Sequence, residues 1–303
     1  MFDYYIPISL EKKQNSLNRK DWKENLIKIL SKYMKSWKMK YVKTYDSGTA
    51  SHVSLVSVLN KEYILKIDLD TVEDKNFFDK QIKFMKNFSG DYPIIYKYNK
   101  ADRICLMQKL NDTLKSYNYD SHKNTKIIYD LMKKVLQSHI PLTNTIKQQV
   151  NKDLKFWKNE VKENDVSQHI YVKYHDFLNE LISKINWNKL TYIHGDLHTQ
   201  NVLYSKETKS FKLIDPDGII FMPEFELGKL LSQVICECCG NMEKTDVIKT
   251  INKECKYLAM SSKYKYDTIY KWFYVNLVGT TIYCKNLDID EWHSWMKIVN
   301  LLN

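Results

Sequence analysis

The chain has 303 residues, 44% hydrophobic and 27% charged, a composition that excludes intrinsic disorder and suffices for two lobes or one large α/β domain. Its formal charge is +11, yet only Arg19 and Arg103 are arginines and the lysines are spread along the whole chain, so no nucleic-acid partner is expected. Met1 to Leu10, broken by Asp3 and Pro7, lacks the layout of a signal peptide, and no apolar run is long enough to span a bilayer; a cytoplasmic protein without a membrane partner is expected.

Asp21 reads as the N-cap of a first helix in which Trp22, Leu26, Ile29, Leu30 and Tyr33 recur at helical spacing. The period then changes. Residues 41–43, 53–58 and 63–67 are short apolar or β-branched runs separated by Gly48 and by Asn60-Lys61, the pattern of an antiparallel meander. Helical period returns from Asn76 to Phe88, and strand character at 94–98 and 104–108. Residues 1–108 therefore read as a β-rich lobe carrying one inserted helix. Residues 109–303 read as a mainly helical lobe, with amphipathic stretches at 125–138, 149–162, 168–186, 226–239, 245–258, 266–284 and 290–302. Within it, 191–215 holds two strand-like runs, 202–204 and 211–214, among loops rich in His, Gly, Asp and Asn. No Pro/Gly linker separates the lobes, so they should join tightly near 108–115. Of the six cysteines only Cys236, Cys238 and Cys239 cluster, without the paired spacing of a zinc site, and buried thiols on a helix are expected.

The residues that carry chemistry lie in Tyr192-Ile193-His194-Gly195-Asp196-Leu197-His198-Thr199-Gln200-Asn201 and in Ile214-Asp215-Pro216-Asp217-Gly218. Phosphoryl transfer from a metal nucleotide needs one carboxylate to position the attacking hydroxyl and accept its proton. It also needs an amide oxygen and a second carboxylate to hold the Mg2+ that bridges phosphate oxygens. Asp196, Asn201 and Asp215 supply these groups in that order. Each segment alone is also an ordinary polar turn; together, after a β-rich lobe with a strand lysine, they point to catalysis.

These motifs resemble the aminoglycoside phosphotransferase and choline-kinase-like superfamily, whose signature is His-Gly-Asp-Leu-His-x-x-Asn followed by Ile-Asp. The layout matches over most of the chain, and Ile214-Asp215-Pro216-x-Gly218 looks closest to the streptomycin 6-phosphotransferase and hydroxyurea phosphotransferase branch. The resemblance implies an α+β, bilobal, protein-kinase-like fold with a nucleotide-binding N-lobe and the active site between the lobes. It makes Asp196 the base, Asn201 and Asp215 the Mg2+ ligands, and His194 a structural residue; His198 either touches substrate or phosphate or packs under the loop. The cofactors implied are Mg2+ and ATP or GTP. Lys66, in the apolar run from Tyr63 to Ile67, becomes the candidate for the α- and β-phosphates, the alternative being the solvent face of an edge strand. The family pairs this lysine with a helix glutamate, whereas here the inward polar residue is Gln81, with Glu73 as a substitute. Gly48, Thr49, Ala50 and Ser51 are the candidate phosphate loop, or else a plain hairpin turn. Met107 would back the purine pocket, and Gln108 and Leu110 would meet the base through their main chain.

Because aminoglycosides are cationic, further carboxylates are candidates for the acceptor site. Asp217, Glu224, Glu226 and Glu237 form one group and Asp288, Asp290 and Glu291 another; both also suit solvated helix caps. His198, Asp217, Glu224 and Glu226 are the acceptor candidates. Asp217 stands where the streptomycin-type branch commonly has lysine, which sets streptomycin aside and keeps a cationic acceptor. The expected activity is O-phosphorylation of a small molecule, an aminoglycoside-type antibiotic or, alternatively, a sugar, amino alcohol or nucleoside. A nucleotide-binding regulator without turnover is the reading of a different class.

Overall fold

The computed structural model describes residues 4–46, 50–69, 76–239, 242–287 and 289–303. They fall into two compact units, one of residues up to 111 together with 204–214, the other of 112–203 together with 215–303.

The first unit opens with α1 (Ile8–Ser16), which the hydrophobic pattern does not announce, and α2 (Trp22–Ser36). Trp22, Leu26, Leu30 and Tyr33 line the buried face of α2 at helical spacing. Asp21 does not cap it: the residue sits at φ 61° and its side chain accepts no hydrogen bond, because a left-handed backbone departs from the extended one that aims a capping oxygen at the first turn. Five strands follow, β1 (Lys40–Thr44), β2 (Ser51–Val58), β3 (Lys61–Asp68), β4 (Ile95–Asn99) and β5 (Ile104–Gln108), with α3 (Phe77–Asn87) between β3 and β4. The sheet order is β1-β2-β3-β5-β4 and every pairing is antiparallel. Leu59 and Asn60 turn β2 into β3 with φ 48° and 63°, the conformation that lets a two-residue hairpin follow the strand twist. Leu26, Leu30, Val56, Leu65, Ile67, Ile104 and Leu106 form the core of this unit.

Residues 204–214, which sequence pattern assigns to the helical lobe, belong with the sheet. They hold the end of β7 (Val202–Ser205) and all of β8 (Ser210–Leu213). The hydrogen bonds explain the placement. Asn111 donates its N–H to Tyr204 at 2.8 Å, Leu213 donates to Asp91 at 2.8 Å, and the buried Lys212 ammonium donates to the carbonyls of Gly90 and Tyr92.

The second unit contains α4 (Ser121–Leu136), α5 (Asn144–Glu160), α6 (Gln168–Ser183), α7 (Pro223–Cys239), α8 (Lys244–Ser262), α9 (Tyr266–Asn286) and α10 (Trp292–Leu301). Asp120 and Thr143 cap α4 and α5, each accepting a first-turn N–H. The buried centre is α9 against α7, with edge-to-face contacts among Trp157, Phe221, Phe225 and Trp272. A Cβ on Gly228 of α7 would lie 2.5 Å from Trp272 Cβ and 2.6 Å from the Phe273 nitrogen, so the two backbones meet where only glycine fits. The six cysteines are unbridged and all but Cys238 are buried. No described helix is long and apolar enough to cross a membrane.

Candidate active site

The geometry starts from a small antiparallel ribbon, β6 (Thr191–Ile193) with β9 (Ile219–Phe221), in which Ile193 faces Ile219. It brings the loop after Ile193 beside the loop before Ile219. There the His194 carbonyl accepts the N–H of Asp217 at 2.7 Å and that of Gly218 at 3.4 Å. Gly195 is required: its φ is +86°, and a Cβ would stand 2.8 Å from the Cβ and Oδ2 of Asp217. His194 is fully buried and its Nδ1 accepts the Asp196 N–H at 3.2 Å.

A short 3-10 turn over Thr199–Asn201 turns Asn201 back toward Asp196. Asn201 Nδ2 donates to the Asp196 carbonyl at 2.9 Å and to Asp196 Oδ2 at 3.1 Å. With the amide nitrogen so engaged, Oδ1 is the atom left to offer a lone pair to a cation. Asp215 has φ 53°, a left-handed conformation that Asp tolerates better than most residues and that recurs at functional sites. An amide oxygen and one carboxylate fit Mg2+, which takes few protein ligands and fills its octahedron with phosphates and waters. Among the described residues no three His, Cys, Asp or Glu side chains form a metal cage.

The loop is held from below by α7. Glu226, 1% exposed, accepts the N–H of His194 at 2.9 Å and that of Gly195 at 3.2 Å through one oxygen. Burial pushes its carboxyl up to about 7, against the lowering influence of Lys229 and the two backbone donors. Glu226 therefore lies under the loop and does not face an acceptor, contrary to its place among the acceptor candidates. Glu224, two positions earlier on the helix, is partly buried, and burial raises its carboxyl. Glu237 is pushed up by burial, against the lowering influence of a hydrogen bond with Thr199. Asp290 and Glu291 are exposed at the start of α10, where helix-cap solvation accounts for them; Asp288 lies outside the described residues.

Two basic side chains face Asp196. His198 Nε2 is 3.7 Å from Oδ2, and Lys229 Nζ is 4.0 Å from Oδ1. Burial pushes the Asp196 carboxyl up, but His198 and Lys229 outweigh it and hold the group well below the usual carboxylate range. Half of the side chain remains exposed (49%), so the carboxylate is open to a ligand. Sequence reading passes over Lys229; the available signal was Glu226-x-x-Lys229, a pair on one helix face directly after the Asp215 loop.

In the first unit, Lys66 lies on β3, between β2 and β5, and is buried, which rules out an edge-strand lysine. Its Nζ is 3.2 Å from Asp68 Oδ1, and Ser51 Oγ donates to the same oxygen at 2.6 Å. Asp68 was not foreseen because the family pattern directs attention to a helix, whereas residues i and i+2 of a strand share a face. Gln81 is buried on α3. Gly48, Thr49 and Glu73 lie outside the described residues; Ala50 is exposed and accepts the N–H of Leu69 at 3.0 Å. Met107 is buried in β5. The Gln108 N–H is taken by the Ile94 carbonyl at 2.8 Å, and its side chain donates to Glu207 at 2.8 Å, so that N–H is not available to a base. Leu110 is buried.

No protein-family model matches the sequence, and no curated protein matches it. Solved structures do. The chain is similar to choline kinase LicA from Streptococcus pneumoniae at 12% identity, over 91% of this chain and 99% of that one, with a TM-score of 0.60. It is similar to aminoglycoside phosphotransferase APH(4)-Ia at 11% identity, over 92% and 98%, TM-score 0.59. The ethanolamine kinase of Plasmodium vivax gives 12% identity over 99% and 95%, TM-score 0.59. A variant of APH(4)-Ia solved as a ternary complex with AMP-PNP and hygromycin B gives 12% identity over 86% and 94%, TM-score 0.54. The five-stranded antiparallel sheet, the helical second unit and these likenesses establish that the chain has the protein-kinase-like fold.

Proposed function

We propose that this chain is a kinase that transfers the γ-phosphate of ATP, or of GTP, to a hydroxyl of a small molecule. The observation that carries the reading is the Asp196–Asn201 pair, in which one amide nitrogen fixes the carboxylate while its oxygen stays available to a cation. Asp196 orients the acceptor hydroxyl and takes its proton. Held ionised, it is a weak base, which suits a loose transition state governed by positioning and charge. Mg2+, when bound, would neutralise the phosphates, and Asn201 Oδ1 with Asp215 would hold it. Lys66 contributes to the α- and β-phosphates, Ala50 and Ser51 to the loop that covers them, and the Leu110 main chain to the base. The AMP-PNP complex of APH(4)-Ia supports an adenine nucleotide as donor.

The acceptor is read as cationic. Asp217, whose side chain lies against Gly195 next to Asp196, supplies a second carboxylate beside the loop. An aminoglycoside-type acceptor follows from the sequence resemblance, and the hygromycin B complex supports it. The likeness to choline and ethanolamine kinases favours an amino alcohol as the second reading. The test is ATP consumption with Mg2+ over aminoglycosides, choline, ethanolamine and sugars, with Asp196→Asn alongside. Turnover on the accepted substrate should fall about 10²–10⁴-fold in the variant; unchanged turnover overturns the assignment.

A further inference from the structure

We infer that Lys229 is a positioning residue of the catalytic loop, forming with Glu226 a clamp on Gly195 that also aims a cation at Asp196. The two side chains are three residues apart on α7 and so share a face. Glu226 accepts the Gly195 N–H, and Lys229 donates to the Gly195 carbonyl. Both polar ends of one residue are therefore gripped by one helix. The gripped residue is the left-handed glycine immediately before Asp196, where a small rotation would swing the carboxylate.

Burial argues for a specific role. Only 16% of the Lys229 side chain is exposed, and an ammonium withdrawn from water needs fixed partners. The Gly195 carbonyl supplies one. The Asp196 carboxylate, 4.0 Å away, is too distant for a hydrogen bond yet near enough for a charge to be felt. A lysine serving only to stabilise α7 would have extended into solvent, as most of the chain's lysines do.

The catalytic part of this inference rests on the phosphotransfer reading, so the test has two arms. Full-length wild type, Lys229→Met, Lys229→Arg and Asp196→Asn are compared. In the first arm, amide hydrogen exchange of residues 194–201 is followed without nucleotide; it should quicken several-fold in Lys229→Met and return toward wild type in Lys229→Arg, since exchange reports local opening. In the second arm, MgATP hydrolysis with water as acceptor should show kcat reduced about 10–100-fold in Lys229→Met, the usual scale for a supporting contact, with KM for ATP unchanged and kcat recovered by Lys229→Arg. Unaltered exchange in Lys229→Met, or a kcat loss that arginine does not recover, overturns the inference. If Asp196→Asn hydrolyses MgATP like wild type, the kinase reading fails and the exchange arm alone decides the clamp.

Discussion

Glu226 is a buried carboxyl whose ionisation is linked to folding. Its ordinary value is 4.5, and burial raises it to about 7 in the folded chain. Between these two values the folded state binds the proton that the unfolded state has released, so this group's contribution to stability is full below pH 4.5 and is lost as pH rises to 7. The loss amounts to about 3 kcal/mol. Glu226→Gln keeps an oxygen for the His194 and Gly195 N–H groups and has no proton to lose. Urea unfolding at pH 5 and pH 7.5 should therefore show wild type losing stability relative to Glu226→Gln as pH rises; a constant difference would mean that Glu226 does not titrate as described. At this same scale the candidate site was legible where it is local. Asp196, Asn201 and Asp215 stand out as candidates because one loop holds a carboxylate and an amide five positions apart, and a second loop the remaining carboxylate. Lys229 and Asp68 were hidden for the opposite reason: their partners are set by how a helix packs under a loop and by strand alternation, and neither leaves a dedicated motif.

At the scale of elements, α7 joins core to chemistry. One face carries Glu226 and Lys229 beneath the loop that holds Asp196, while Gly228 abuts α9 at Trp272 and Phe273. A methyl group at 228 cannot be absorbed by a flexible side chain, since its nearest neighbours are a Cβ and backbone atoms. Gly228→Ala should destabilise the chain by about 1–3 kcal/mol through overpacking, read as a lower urea midpoint, and should reduce MgATP turnover because α7 moves with its clamp. Unchanged stability would show that α7 and α9 stand further apart than the structure places them. The long periodic elements were readable: β1 to β5 and α4 to α10 fall within a few residues of where hydrophobic period puts them. What escaped was short or dependent on partners. β6 and β9 are three residues each, too few to display a period. Residues 204–214 join the sheet unit through main-chain bonds to Asp91 and Asn111, and backbone pairing leaves no trace in side-chain pattern.

Across the whole molecule, the candidate nucleotide residues are divided between the two compact units. Lys66, Ser51 and Leu110 belong to the first; Asp196, Asn201 and Asp215 belong to the second. A ligand that engages only the folded chain raises its stability by RT ln(1 + [L]/Kd), about 2.7 kcal/mol at a hundredfold excess over Kd. Because the proposed metal ligands and the proposed phosphate lysine are different residues, their contributions separate. Asp215→Asn removes a ligand charge while suiting the left-handed backbone, which Asn adopts readily, so the unliganded variant should unfold near the wild-type temperature. It should keep the stabilisation by ATP measured in EDTA and lose the increment that Mg2+ adds. Lys66→Met should lose stabilisation in both conditions, since a phosphate contact disappears with or without metal. Thermal unfolding of the three proteins with ATP, with MgATP and without ligand makes the comparison. An Asp215→Asn chain that gains as much from MgATP as wild type would remove Asp215 from the proposed metal site.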